Sequence, residues 1–208
     1  NGNQQDPVLL VMATKNGMIK KTDLNDFKNV RRTGIIAITL KKDDLLKWVK
    51  MSAGKDQIII TTAAGQSIRF KESQIRTMGR GASGVRAIRL KKNDQVSSMD
   101  VIVAKSDPKN QKLLVVMANG YGKQTPISQY RIQSRGGSGI KTAKITAKTG
   151  LVSAVQIVSN EEELLTISAK GQIIRAKLAA VRVAGRATQG VKIMTLNAGD
   201  KVVGITCI

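Results

Sequence analysis

Leu113-Leu114-Val115-Val116-Met117-Ala118-Asn119-Gly120-Tyr121-Gly122-Lys123-Gln124-Thr125 places six apolar residues before an Asn-Gly pair and a second short segment after it. Asn-Gly favours a tight hairpin turn, because both residues tolerate positive φ. The stretch therefore predicts antiparallel strands at 113–117 and 121–125. Working outward, the same grouping recurs around Asn16-Gly17, Ala64-Gly65 and Lys170-Gly171. Eleven positions beyond the four turn glycines stand Lys28, Arg76, Arg131 and Arg182, each preceded by an apolar anchor: Phe27, Ile75, Tyr130 or Val181. A second glycine then closes a loop, at Gly34, Gly84, Gly139 and Gly190, spaced by 50, 55 and 51 residues. The loops, 29–34, 77–84, 132–139 and 183–190, each carry arginine: Arg31 with Arg32, then Arg80, Arg135 and Arg186. A period near fifty residues is that of propeller-type repeats.

Four strands are expected in each unit. The first are the apolar runs 8–12, 58–62, 113–117 and 164–168, and the second leave the turns as 18–22, 66–70, 121–125 and 172–176. Alternating apolar residues predict third strands at 35–40, 85–90, 140–146 and 191–196. Short polar turns lead into fourth strands at 45–51, 96–103, 151–158 and 202–208. The intervening segments, such as 24–27 and 73–75, are too short for a packed helix. The fold expected is all-β, with propeller-like four-stranded blades at 8–56, 57–110, 111–163 and 164–208 in one domain. The polar stretch 1–7 reads as the end of a linker, so the chain is expected to be cut from something longer.

With 35 Lys and Arg against 14 Asp and Glu, the net charge is +21, which points to a polyanionic partner. Taken repeat by repeat, the basic excess is six, six, four and six, so the charge follows the architecture instead of a tail. Aromatic residues make up only 2%, leaving Val, Ile, Leu, Met and Ala to fill the core. The single Cys207 cannot form an internal disulfide, which fits a reducing cytosol and a small buried thiol. No apolar run approaches the roughly 18 residues of a membrane span, so no membrane partner is expected.

Catalytic constellations are thin. The chain has no His, and Tyr130 occupies the anchor slot of Phe27, Ile75 and Val181. Tyr121 opens a hairpin strand without clustered acids nearby, so neither tyrosine reads as a nucleophile. Asp43, Asp44, Asp94 and Asp200 recur at turns, where Asp suits the geometry, and predict no metal site. Glu161-Glu162-Glu163 reads as a solvated inter-blade loop, and Trp48 as core or inter-blade packing. No cofactor is expected.

Several strings resemble a known family: Gly17-Met18-Ile19-Lys20-Lys21-Thr22, Ser67-Ile68-Arg69-Phe70-Lys71-Glu72-Ser73, Asn119-Gly120-Tyr121-Gly122-Lys123-Gln124-Thr125 and Gly185-Arg186-Ala187-Thr188-Gln189-Gly190-Val191. They are similar to the C-terminal domain of bacterial DNA gyrase A, and the resemblance covers residues 8–208; the C-terminal domain of the A-type chain of topoisomerase IV is the nearest competitor. The resemblance implies a β-pinwheel with strands exchanged between blades and duplex DNA around its outer basic rim. It further implies a non-catalytic wrapping domain of a type IIA topoisomerase, in the bacterial cytoplasm and nucleoid-associated. The implied partners are duplex DNA, the rest of the gyrase A chain and gyrase B. Gln133-Ser134-Arg135-Gly136-Gly137-Ser138-Gly139 resembles the family's box Q-[RK]-R-G-G-[RK]-G, with Ser134 and Ser138 replacing two basic positions. The family carries this box in the first of six blades. The stretch here lies in the third of four repeats, so two readings stand: a diverged box, or a box-like loop with the true box upstream.

The expected DNA contacts are the cations of the second strands, Lys20, Lys21, Arg69, Lys71, Lys123, Arg175 and Lys177, and the anchor cations Lys28, Arg76, Arg131 and Arg182. To these are added the loop residues Arg31, Arg32, Arg80, Gln133, Arg135, Gly136, Gly137, Gly139 and Arg186, with Arg86, Lys141 and Lys192 just beyond. Glycines there would let backbone amides approach phosphates. The alternative function class is a propeller-like module whose basic rim meets an acidic protein.

Overall fold

The computed structural model describes residues 8–104 and 110–208; the expected linker at 1–7 lies outside them. The four hairpins form where the turns predict: β1 (Leu9–Thr14) with β2 (Met18–Asp23), β4 (Gln57–Thr62) with β5 (Gln66–Lys71), β8 (Lys112–Met117) with β9 (Tyr121–Pro126), and β12 (Glu163–Ser168) with β13 (Ile173–Lys177). On the far side of each first strand lies the fourth strand of the unit: β3 (Leu46–Ser52), β7 (Val96–Ile102), β11 (Val152–Val158) or β15 (Val202–Cys207). Single 3-10 turns, Leu24–Phe27, Glu72–Gln74, Ile127–Gln129 and Leu178–Ala180, fill the segments too short for helices.

The third strands differ from expectation. Only β6 (Val85–Arg86), β10 (Ile140–Lys141) and β14 (Val191–Lys192) form, two residues each, and 35–40 forms none. Each pairs with the hairpin of the preceding repeat: Met18 opposite Arg86, Gln66 opposite Lys141, Tyr121 opposite Lys192. The ladder stops after two residues because the chain then bonds to the turn glycine instead. Ala87 N donates to Gly17 O, Thr142 N to Gly65 O and Ile193 N to Gly120 O, each at 2.8 Å. Beyond these bonds Ile88 and Met194 turn into the core. The sheet orders are β3-β1-β2-β6, β10-β5-β4-β7, β11-β8-β9-β14 and β13-β12-β15. Strand exchange between neighbours, implied by the resemblance, is thus present, and among the described residues the fourth sheet has three strands.

The core lies between successive sheets, which explains the unbroken apolar runs. A strand buried on both faces needs no polar alternation. Ile58 and Ile60 join Val11, Ile19 and Phe70 in one cluster, whereas Ile59 faces Leu113, Val115 and Met117 in the next. Leu114 and Val116 turn the other way, onto Leu164, Val181 and Val202. Trp48 packs against the first cluster, and Tyr130, its hydroxyl 2.6 Å from Thr142 Oγ1, fills the second.

The loop-closing glycines seat these junctions. Gly84 (φ +82°) and Gly190 (φ +75°) lie so close to the preceding hairpin that a Cβ would stand 2.4 Å from Ile19 O and 2.3 Å from Gly122 O. Gly34 has the same φ of +80° but no atom within 4 Å of that position. Gly34→Ala is therefore expected to cost only the left-handed backbone, about 1–2 kcal/mol. Gly84→Ala and Gly190→Ala must also displace a hairpin carbonyl and should cost clearly more in urea unfolding. Equal losses at the three positions would show that the close approach carries no weight.

Candidate nucleic-acid interface

The strand order places β6, β10 and β14 at the sheet edge opposite β3, β7 and β11, so Arg86, Lys141 and Lys192 stand exposed at the corresponding edges of three sheets. The loop arginine of the following repeat reaches the same strands. Arg135 Nη1 donates to Arg86 O, and Arg186 Nη1 to Lys141 O at 3.1 Å. Each contact ties a loop arginine to the backbone of the exposed cation on the preceding repeat's exchanged strand. Gln74 steadies the box-like loop. Its Oε1 accepts from Arg135 N at 2.7 Å, its carbonyl from Arg135 Nε at 3.3 Å, and its Nε2 donates to Gln133 O. Lys28, Arg31, Arg32, Lys71, Arg76, Arg131, Arg175, Lys177 and Arg182 are exposed, while Arg80, Arg135, Arg186 and Gln133 are half-buried.

Four expected contacts are corrected by burial. Lys20, 0% exposed, donates Nζ to the carbonyls of Ala37 (2.8 Å), Gly79 (2.9 Å) and Arg80 (2.6 Å). Lys123, also 0% exposed, caps Gly185 O and Arg186 O. Lys21 pairs with the fully buried Glu72 at 3.3 Å, and Arg69 donates to Ile127 O (2.9 Å) and Tyr130 O (3.0 Å). These side chains hold the next repeat's loop and 3-10 turn, and none faces outward. The physical reason is that a tight loop buries carbonyls that require donors, and a long cation supplies several at once.

The slots are regular. Three positions after the turn glycine stand Lys20, Ile68, Lys123 and Ile174; four positions after it stand Lys21, Arg69, Gln124 and Arg175. Gln124, absent from the expected set, does what Arg69 does, with Nε2 bonded to Leu178 O and Val181 O. Its place in the slot was the signal that could have found it. Arg175 pairs with Glu163 of its own hairpin.

The box glycines also need a correction. Gly136 N donates to Ala87 O at 2.7 Å, Gly137 O accepts from Arg89 N, and Gly139 presses on Ser67 O. Their small size serves contact between repeats, and the Gly136 amide is already taken. Turn aspartates close hairpins as expected: Asp44 Oδ2 accepts from Thr14 Oγ1 at 2.7 Å, and Asp94 Oδ1 from Ala64 N at 2.9 Å. Among the described residues, no group of three His, Cys, Asp or Glu could hold a metal. No helix there is long and apolar enough to cross a membrane.

Burial, reinforced by the neighbouring Arg186 charge, lowers the Lys123 ammonium to about 8; burial likewise lowers Lys20 and Arg69. Cys207 is pushed up to about 11 by burial and by Glu161. Between about pH 8 and the ordinary lysine value of 10.5, the folded chain has released the Lys123 proton that the unfolded chain keeps. Raising pH through that window therefore favours folding. The protein should gain stability relative to Lys123→Met as pH rises from about 8 to 10.5, read as the difference of their urea midpoints. A constant difference would place the Lys123 titration at its ordinary value.

The family described as DNA gyrase C-terminal domain, beta-propeller, matches residues 9–52, 56–102, 111–159 and 162–208. The DNA gyrase A protein of Staphylococcus epidermidis is 43% identical over 193 residues, and that of Staphylococcus aureus 43% identical over 187. These matches cover 93% and 90% of this chain but 21% of each relative, so the chain spans about a fifth of their length. A solved DNA gyrase A C-terminal domain superposes with a TM-score of 0.87 at 26% identity, covering 100% of this chain and 68% of that one. A topoisomerase IV C-terminal domain shares the fold, with a TM-score of 0.89 at 22% identity and coverage of 100% and 64%. The strand-exchanged blades, the glycine-seated junctions and these matches together make the chain a member of the DNA gyrase A C-terminal domain family.

Proposed function

We propose that residues 8–208 form a single DNA-wrapping domain of a type IIA topoisomerase, within its gyrase A chain. In this reading duplex DNA runs along the band marked by Arg86, Arg135, Lys141, Arg186 and Lys192. The observation that supports it is the repeated contact of a loop arginine with the cation-bearing strand of the preceding repeat. Bending a 20–30 bp duplex costs on the order of 1–6 kcal/mol, so wrapping needs many distributed phosphate contacts and no single strong one. The exposed loop and anchor cations supply them without a recognition helix for the major groove.

The domain performs no bond chemistry itself. It biases strand passage in a catalytic region formed by the rest of the gyrase A chain with gyrase B, in the bacterial cytoplasm and at the nucleoid. The 43% identity to gyrase A proteins favours a gyrase parent over topoisomerase IV. Gln133 to Gly139 acts as a box-like loop whose Arg135 serves the band and whose glycines serve the junction.

Binding should show little sequence preference and fall with salt at a log-log slope of about −0.9 per phosphate neutralised. Replacing Arg80, Arg135 and Arg186 together with Ala should flatten that slope while shifting the melting temperature little, since partly exposed cations contribute little to stability. A triple variant that unfolds, or keeps the original slope, would remove these arginines from the interface.

Wrapping is tested separately from binding. Affinity should rise with duplex length until the band is filled and then level off, with the ends of labelled DNA drawing together. Relaxed closed circles treated with a nicking-closing enzyme should keep a linking-number change. Length-independent affinity with unchanged linking number would leave a basic module that meets an acidic protein or straight DNA.

A further inference from the structure

One place on the band is built differently from its counterparts. The residue after each turn glycine faces the cation of the exchanged strand, giving Met18 opposite Arg86, Gln66 opposite Lys141 and Tyr121 opposite Lys192. Only the third junction puts an aromatic ring there. Lys192 Nζ lies 5.5 Å and Lys148 Nζ 5.6 Å from the Tyr121 ring centroid. The negative face of the ring attracts ammonium groups at this range and so holds two like charges near each other. Lys201 joins from the fourth repeat, its Nζ donating to Asn119 Oδ1. Asn119 Nδ2 in turn fixes the carbonyls of Ala147 (2.9 Å) and Lys148 (3.1 Å), so the backbone under the lysines is tied to the hairpin turn.

These residues line a shallow cleft of about 300 Å³ with Leu196, Asn197, Gly199 and Asp200. Asp200, the one carboxylate in the lining, is buried and its Oδ1 is spent on the amides of Lys170 and Lys201. Exposed Lys148 and Lys192 both approach the ring and have no carboxylate partner among the described residues, so the site carries excess positive charge. We infer that Tyr121, Lys148, Lys192 and Lys201 form a phosphate seat at the junction of the third and fourth repeats. Its occupant is a phosphodiester of the duplex, and it fixes where the DNA backbone crosses from one blade to the next. The inference rests on the DNA reading above.

The test measures binding of a fixed-length duplex against salt for the protein, for Lys148→Gln/Lys192→Gln, and for Arg86→Gln/Arg131→Gln as a control elsewhere on the edge. The cleft variant should lose about two phosphates' worth of slope, roughly 1.8 units. Its melting temperature should stay unchanged, since both lysines are exposed. Tyr121→Phe should keep the slope of the unmodified protein, and Tyr121→Leu, which removes the ring and keeps the lysines, should lose part of it. If the protein shows no salt-dependent binding at all, the DNA reading itself falls. If it does, and the control flattens the slope while the cleft variant and Tyr121→Leu do not, the seat is overturned alone. Titration with inorganic phosphate and with a mononucleotide separates the sources. Saturable binding of either that is lost in the cleft variant, with the duplex slope intact, would assign the seat to a free phosphorylated ligand and overturn the duplex assignment.

Discussion

The two-residue pairing of each exchanged strand with the preceding hairpin is the contact on which the rest of this architecture depends. Taken alone, a repeat has a hairpin and a fourth strand but lacks the outer edge that the next repeat supplies. Strand pairing, the carbonyl of the turn glycine and the pressed backbone of Gly84, Gly139 or Gly190 act at the same seam. Stability is then a sum over neighbouring junctions, as in other repeat proteins. Ile36, 71% exposed, belongs to the segment equivalent to β6, and Ile173, 63% exposed, to the hairpin that would receive such a segment. Neither has its counterpart among the described residues, and both leave apolar surface open.

The same seam divides the cations into two populations. Where a loop folds back on the preceding hairpin it buries carbonyls, and Lys20 and Lys123 cap them from below. Desolvation lowers the pKa of these ammonium groups, and their contacts go to loop carbonyls, away from the surface that a polyanion would meet. The second population stands on the exchanged strands and on the loop crests, where the side chains reach solvent. The net charge of +21 therefore overstates what the rim presents, and position on the strand decides which cation serves which purpose.

Much of this was legible in the chain. The four turn glycines, the first strands and the fourth strands fell where turn chemistry and apolar runs put them, because a strand buried on both faces has to be apolar throughout. The all-β repeat class and its even charge followed from residue spacing, and the family resemblance rested on short strings that any position-by-position reading could find. Sequence could not show that the expected third strands shorten to two residues, since Ala87, Ile88 and Met194 carry the same apolar signal whether they extend a ladder or turn into a core. Nor could it separate Lys20 from Lys71, or Lys123 from Lys177. The direction of a side chain on these second strands depends on what lies across it, and for Lys20 and Lys123 that is a loop 59 and 62 residues away. The sequence by itself thus determined the repeat, its turns and its total charge, all properties of local pattern. Only the tertiary structure decided which cations reach solvent, because that choice is made by contacts between repeats that no local pattern encodes.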